Sequence, residues 1–211
     1  MKVQFVTSGF PNGFTTSFLE QLRKFLPQAK SFVMVASDFS AHQKSERYLA
    51  QYLREFAQNG MGFSQGMLVD FSVSPQKAVS MIEGADAVWL SGGPTLTQIR
   101  HIREYDLADV LREREGVTVG MSAGAINMAK QVLLARDPGD GIDQMCRYEG
   151  IGLVDFSIEP HFADAEKSRM ADVLAAAECA DRDFYGLYDE SFIVEAQGSR
   201  TFFGPYRRLN P

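Results

Sequence analysis

The sequence predicts an α/β fold: one domain with a largely parallel central sheet flanked by helices. Three observations predict it. Short apolar runs alternate with amphipathic helical patterns along most of the chain, as parallel strands joined by crossover helices require. Two of the runs are followed by glycine-rich turns that open helices, at Ser91-Gly92-Gly93 and at Gly120-Met121-Ser122-Ala123-Gly124. The 211 residues, 45% hydrophobic and 23% charged, suffice for one sizeable core. No internal repeat or low-complexity linker divides residues 1–211.

The expected parallel strands are the apolar runs at residues 3–6, 32–36, 67–71, 85–90 and 117–120. Between the second and third lies a long helix. Ser40 and Gln43 form a capping-box pattern at its start, and Tyr48, Leu49, Tyr52, Leu53 and Phe56 recur at three- and four-residue spacing. Gly60 and Gly62 end it. After the fifth strand, residues 123–134 read as a helix and the Asp-Pro-Gly-Asp-Gly stretch at 137–141 as a loop. A strand is expected over 152–158. A helix is expected over 165–177, with Met170, Val173, Leu174 and Ala177 on one face. The runs at 184–187, 192–194 and 201–203 read as short strands, the last two joined by a hairpin around Gly198.

Charge and composition exclude several function classes. The net charge of -6 argues against a nucleic-acid partner, which needs a basic face. Arg200, Arg207 and Arg208 are too few to make one. No apolar run approaches the ~18 residues that would span a bilayer, and the start of the chain lacks a secretory pattern. Cys146 and Cys179 have neither metal-ligand spacing nor the pattern of a disulfide framework, so a reducing cytoplasm is expected.

The strongest chemical signal is Gly120-Met121-Ser122-Ala123-Gly124, placed after the fifth strand and before a helix. A nucleophile elbow needs that context, because the turn is too tight for large flanking side chains and it pushes the serine out over the sheet edge. First-turn N–H groups of the helix then face the developing anion, that of Ala123 among them. Parallel sheets gather ligands at the carboxyl ends of their strands, so the second glycine turn faces the same crevice. There the Gly93 N–H becomes the second expected oxyanion donor. A Walker phosphate loop is ruled out by the missing Lys-Ser/Thr pair.

A serine nucleophile needs a base, and the chain holds three histidines. His42 falls in the first turn of a helix. His101 lies in a helix, off the stripe of Leu96, Ile99 and Ile102. His161 follows Ile158-Glu159-Pro160, where proline ends a strand. That places it in a loop at a carboxyl end, the edge expected for Ser122. For the carboxylate that fixes the imidazole tautomer, Asp137 in the intervening loop competes with Asp189 and Glu190 after the 184–187 run. No H-E-x-x-H and no G-x-G-x-x-G is present, so neither a metal nor a nicotinamide or flavin cofactor is expected.

Four segments together carry a family resemblance: Leu90-Ser91-Gly92-Gly93-Pro94-Thr95, Gly120-Met121-Ser122-Ala123-Gly124-Ala125, Ile158-Glu159-Pro160-His161-Phe162 and Gly186-Leu187-Tyr188-Asp189-Glu190. In them the chain resembles the serine-peptidase family that contains α-aspartyl dipeptidase (dipeptidase E) and cyanophycinase. The resemblance implies a class I glutamine amidotransferase-like (flavodoxin-like) fold with serine replacing cysteine. It implies Ser122 as nucleophile, His161 as base, Gly93 and Ala123 at the oxyanion hole, and an acid at Asp189. A carboxylate at the position of Asp137 is also associated with activity. Cationic residues bind the substrate's acidic N-terminal side chain in the aspartyl dipeptidases, and Arg169 is the candidate here.

The expected activity is therefore serine-type hydrolysis of short peptides by a monomer or homodimer, with a dipeptidase for acidic N-terminal residues as its sharpest form. Two alternatives stand beside it. One is an α/β-hydrolase-type esterase, whose Ser…Asp…His order would suit Asp137. The other is a non-catalytic binding or regulatory domain of the same fold.

Overall fold

The computed structural model describes residues 1–28 and 30–210. In it the five apolar runs lie side by side as β1 (Lys2–Thr7), β2 (Ser31–Val35), β3 (Gln65–Val69), β4 (Ala87–Leu90) and β5 (Gly116–Met121). Seven further strands follow: β6 (Gln131–Leu134), β7 (Cys146–Glu149), β8 (Ser157–Glu159), β9 (Phe184–Leu187), β10 (Phe192–Ala196), β11 (Ser199–Phe203) and β12 (Tyr206–Arg208). The helices are α1 (Thr16–Phe25), α2 (His42–Gln58), α3 (Pro75–Glu83), α4 (Thr95–Glu104), α5 (Leu107–Glu113), α6 (Ala123–Asn127), α7 (Phe162–Ser168) and α8 (Met170–Glu178).

The main sheet has the order β11-β10-β1-β5-β4-β2-β3. Its four central pairings are parallel, and β10 runs antiparallel to both β1 and β11. Every residue of β2 and β4 is buried, because helices cover both faces of a parallel sheet and leave no polar side to alternate with. One face carries an aromatic cluster with Phe5, Phe18, Phe56 and Trp89. The other carries aliphatic side chains such as Ile82, Ile102, Leu107 and Met128. A smaller sheet, β12-β9-β8, pairs β8 and β9 in parallel, and β6 pairs with β7.

The topology brings the site together at one edge. Parallel pairing puts the carboxyl ends of β1, β5, β4 and β2 next to one another. Antiparallel β10 begins at that edge, since Phe192 faces Thr7. The segment just before Phe192 therefore joins the cluster.

Five local expectations are corrected. Ser40 does not cap α2, whose N-cap is Ala41 without a side-chain bond. Asp38 Oδ1 instead accepts from Ser40 N–H and Oγ at 2.9 and 2.6 Å, the local turn that a short acidic side chain favours. The helix expected over 123–134 stops at Asn127, and 131–134 becomes β6. Asn127 is drawn to partners outside the helix: its amide donates to Thr95 O and Gln98 Oε1, and its Oδ1 accepts from Tyr148. The strand expected over 152–158 begins only at Ser157. The N–H groups of Ile151 to Val154 are used instead by the carbonyls of Asn127, Ala129 and Met128 at the end of α6. The helix expected over 165–177 starts earlier and breaks in two at Arg169 (φ -147°, ψ 32°), whose side chain is anchored elsewhere by two carboxylates. In α4, Leu96 is exposed while His101 is buried and stacks on Phe39 at 4.8 Å.

Candidate active site

Ser122 makes the turn between β5 and α6 alone. Its backbone (φ 51°, ψ -113°) lies outside the usual regions for an L-residue, a strain that neighbours must hold in place. Two of them do: the Ser122 N–H donates to the carbonyls of Thr7 and Ser8, each at 3.0 Å. The flanking glycines are set by close approach. A Cβ on Gly120 would sit 2.8 Å from Ala125 N, and one on Gly124 would strike the Leu90 carbonyl. Helix α6 has only five residues. It thus offers the unpaired N–H groups of a first turn, Ala123 foremost, rather than a long helix dipole.

His161 arrives from the loop after β8, where it begins α7 in a left-handed conformation (φ 50°, ψ 40°). Its Nε2 lies 3.0 Å from Ser122 Oγ, and its Nδ1 lies 2.7 Å from Asp189 Oδ1. Asp189 comes from the loop after β9, the parallel neighbour of β8, so the pairing of those strands sets the two loops side by side. The other two candidate carboxylates point elsewhere. Glu190 Oε1 accepts from Asn12 Nδ2 at 2.8 Å, and Asp137 Oδ2 accepts from Arg169 Nε at 3.0 Å. The structure thus brings Ser122, His161 and Asp189 into one chain of contacts and leaves Asp137 and Glu190 out of it.

Ser8 went unread in the sequence. Its hydroxyl accepts the His161 backbone N–H at 2.8 Å and donates to Asp189 Oδ1 at 3.1 Å. The only signal was its position, in Thr7-Ser8-Gly9 just past the first strand, where a parallel sheet collects functional groups. Gly9 must be small, since a Cβ there would lie 2.7 Å from His161 Cε1.

The double glycine flanks Ser122 from the β4 side. A Cβ on Gly92 would come within 3.3 Å of the Ser122 Cβ. Gly93 has φ +139°, a region that disfavours any side chain, and a Cβ on it would collide with Ser37 Oγ. Gly93, Ser122 and His161 line three cavities that meet at the serine. One, about 570 Å³, is walled by the aromatic side chains of Phe10, Phe14, Tyr48 and Tyr52 and by Met121. Another, about 710 Å³, runs past Thr95, Leu96, Asp140 and Ile142. The smallest, about 280 Å³, is lined by Asp137, Asp140, Glu159, Asp164 and Arg169.

In the smallest cavity Arg169 is already engaged by Glu159 and Asp137. Burial pushes the Glu159 carboxyl up to about 7, although Arg169 pulls it down. The other two histidines stand apart. His42 Nδ1 is 2.6 Å from the buried Asp70, and that hydrogen bond raises its pKa. His101 is packed between Phe39 and Phe71. Among the described residues no cluster of three or more His, Cys, Asp or Glu could hold a metal ion. None of the described helices is long and apolar enough to cross a membrane.

Comparison with known proteins adds to this geometry. The family model described as Peptidase family S51 matches residues 6–201. No curated protein matches the chain. Among solved structures, a candidate peptidase E protein from Listeria monocytogenes EGD-e superposes with a TM-score of 0.69 at 16% identity, covering 96% of this chain and 98% of that one. A peptidase from an acI-B1 Actinobacterium gives 0.67 at 17% identity, covering 100% of this chain and 91% of the other. At such low identity these two likenesses carry the fold alone.

Proposed function

This chain belongs to peptidase family S51, and from that premise we propose that it is a serine-type exopeptidase that cleaves short peptides through Ser122. The observation that carries the reading is the chain of contacts Ser122 Oγ–His161 Nε2–His161 Nδ1–Asp189 Oδ1, at 3.0 and 2.7 Å. Ser122 Oγ attacks the scissile carbonyl while His161 Nε2 takes its proton. Asp189 holds the proton on Nδ1 and stabilises the imidazolium. The N–H groups of Gly93 and Ala123 receive the oxyanion. His161 then returns the proton to the departing amine, and water repeats the sequence on the acyl-enzyme.

The exopeptidase part rests on the smallest cavity. Four carboxylates there face a single guanidinium, an excess of negative charge suited to a substrate's free ammonium group beside the scissile bond. An acidic N-terminal side chain finds less support, because Arg169 is held by Glu159 and Asp137. The reading includes a reducing, cytoplasmic setting, in keeping with Cys146 and Cys179 as free thiols.

A fluorophosphonate probe tests the assignment directly. It should label the wild-type protein at Ser122 and leave Ser122→Ala unlabelled, and that variant should lose hydrolysis of unblocked dipeptides. Acetylating the substrate's amino terminus should raise KM sharply. A wild-type protein that neither labels nor hydrolyses would instead be a silent binding domain of the same fold.

A further inference from the structure

The aromatic-walled cavity beside Ser122 has a chemistry that the triad leaves unused. Its walls form an aromatic series: Phe10 meets Phe14 edge-on at 5.4 Å, Phe14 stacks on Tyr52 at 5.9 Å, and Tyr52 stacks on Tyr48 at 6.4 Å. Met121, the residue before the serine, closes the wall, and the Tyr52 hydroxyl donates to its sulfur at 3.7 Å. Tyr48 stands at the rim with 44% of its surface in water.

The charges lining this cavity are three carboxylates, Asp38, Glu55 and Asp189, against one ammonium, Lys44. An acidic side chain entering it would lose hydration and meet like charge. The three carboxylates already serve the wall's own structure. Asp38 accepts two bonds from Ser40, Glu55 accepts the Phe14 N–H, and Asp189 holds His161. A large uncharged side chain needs none of these groups and removes aromatic surface from water.

We propose that this cavity is a specificity pocket for a large apolar side chain, of the phenylalanine, leucine or methionine class, on the residue flanking the scissile bond. The proposal rests on Ser122 being the reacting group, and it assigns to Tyr48, Tyr52 and Met121 the selection of substrate.

Two dipeptide series, X–Ala and Ala–X, with X as Ala, Leu, Phe, Asp or Lys, test it on the intact protein. In at least one series kcat/KM for Phe or Leu should exceed that for Ala by about tenfold or more, within the range that apolar pockets discriminate, and exceed that for Asp and Lys by more. Tyr48→Ala, at an exposed helix position, should lower the Phe-to-Ala ratio by severalfold. Calorimetric binding of the same dipeptides to Ser122→Ala should rank them in the same order and tests the pocket independently of turnover. Equal rates across X, or a preference for Asp or Lys in both series, would overturn the proposal while leaving probe labelling of Ser122 intact. Failure of labelling with apolar-selective binding retained would remove the catalytic reading and keep the pocket.

Discussion

The Ser8 hydroxyl accepts the backbone N–H of His161 at 2.8 Å, across 153 positions of sequence, and donates to Asp189 Oδ1 at 3.1 Å. One side chain at the end of β1 thus fixes both the loop that carries the imidazole and the carboxylate that touches it. Ser8→Ala should lower kcat about tenfold and change KM little, because each lost bond of this kind is worth roughly 1 kcal/mol and tenfold in rate is about 1.4 kcal/mol. Steady-state kinetics with unchanged fluorophosphonate stoichiometry would separate this positioning role from misfolding. An unaltered kcat would dismiss it.

Asp189→Asn should cost up to ~10⁴-fold in kcat, the scale of a triad left with the wrong tautomer. Asp137→Asn and Glu190→Gln should cost far less, since those carboxylates bond Arg169 and Asn12. The three variants are compared on one substrate. A large kcat loss confined to Asp137→Asn would mean that the imidazole answers to the other acid.

Gly93→Ala should lower kcat by about a hundredfold or more, the usual effect of removing one oxyanion donor. The added Cβ meets Ser37 Oγ, and the φ of +139° resists any side chain, so the turn must shift. Circular dichroism establishes that the variant is folded. A folded variant with wild-type kcat would take Gly93 out of the oxyanion hole.

Glu159 predicts a pH dependence of stability. Its carboxyl is raised from an ordinary 4.5 to about 7, chiefly by burial. An acid raised on folding keeps its proton longer in the native state than in the unfolded chain. Stability is therefore greatest below pH 4.5 as far as this group is concerned, falls between 4.5 and 7, and levels off above. The full decline is on the order of 3 kcal/mol at 1.36 kcal/mol per pH unit. Glu159→Gln should flatten the curve of Tm against pH over that interval. The slope is the readout, because losing the Arg169 contact shifts the whole curve. An unchanged slope would show that Glu159 ionises normally.

The sequence by itself determined what is local. The alternation of apolar runs and helical patterns specified the α/β class, because a short apolar run and a 3.6-residue period are both written in neighbouring residues. The turn at Ser122 was legible because the small residues around the serine stand between an apolar run and a helical pattern, although Gly124 answers to the distant Leu90 carbonyl, and His161 because proline ends a strand beside it. Boundaries failed wherever a distant partner overrode the local pattern: α6 gives way to β6 because Asn127 bonds Thr95, Gln98 and Tyr148, and Arg169 breaks a helix to reach Asp137 and Glu159. Only the tertiary structure decided which carboxylate meets His161, that Ser8 holds both, and that Tyr48 and Tyr52 wall a cavity instead of merely marking a helix face. Those relations depend on which strands become neighbours, here β8 beside β9 and β10 beside β1. Strand order is settled by the packing of the whole chain, and no window of sequence contains it.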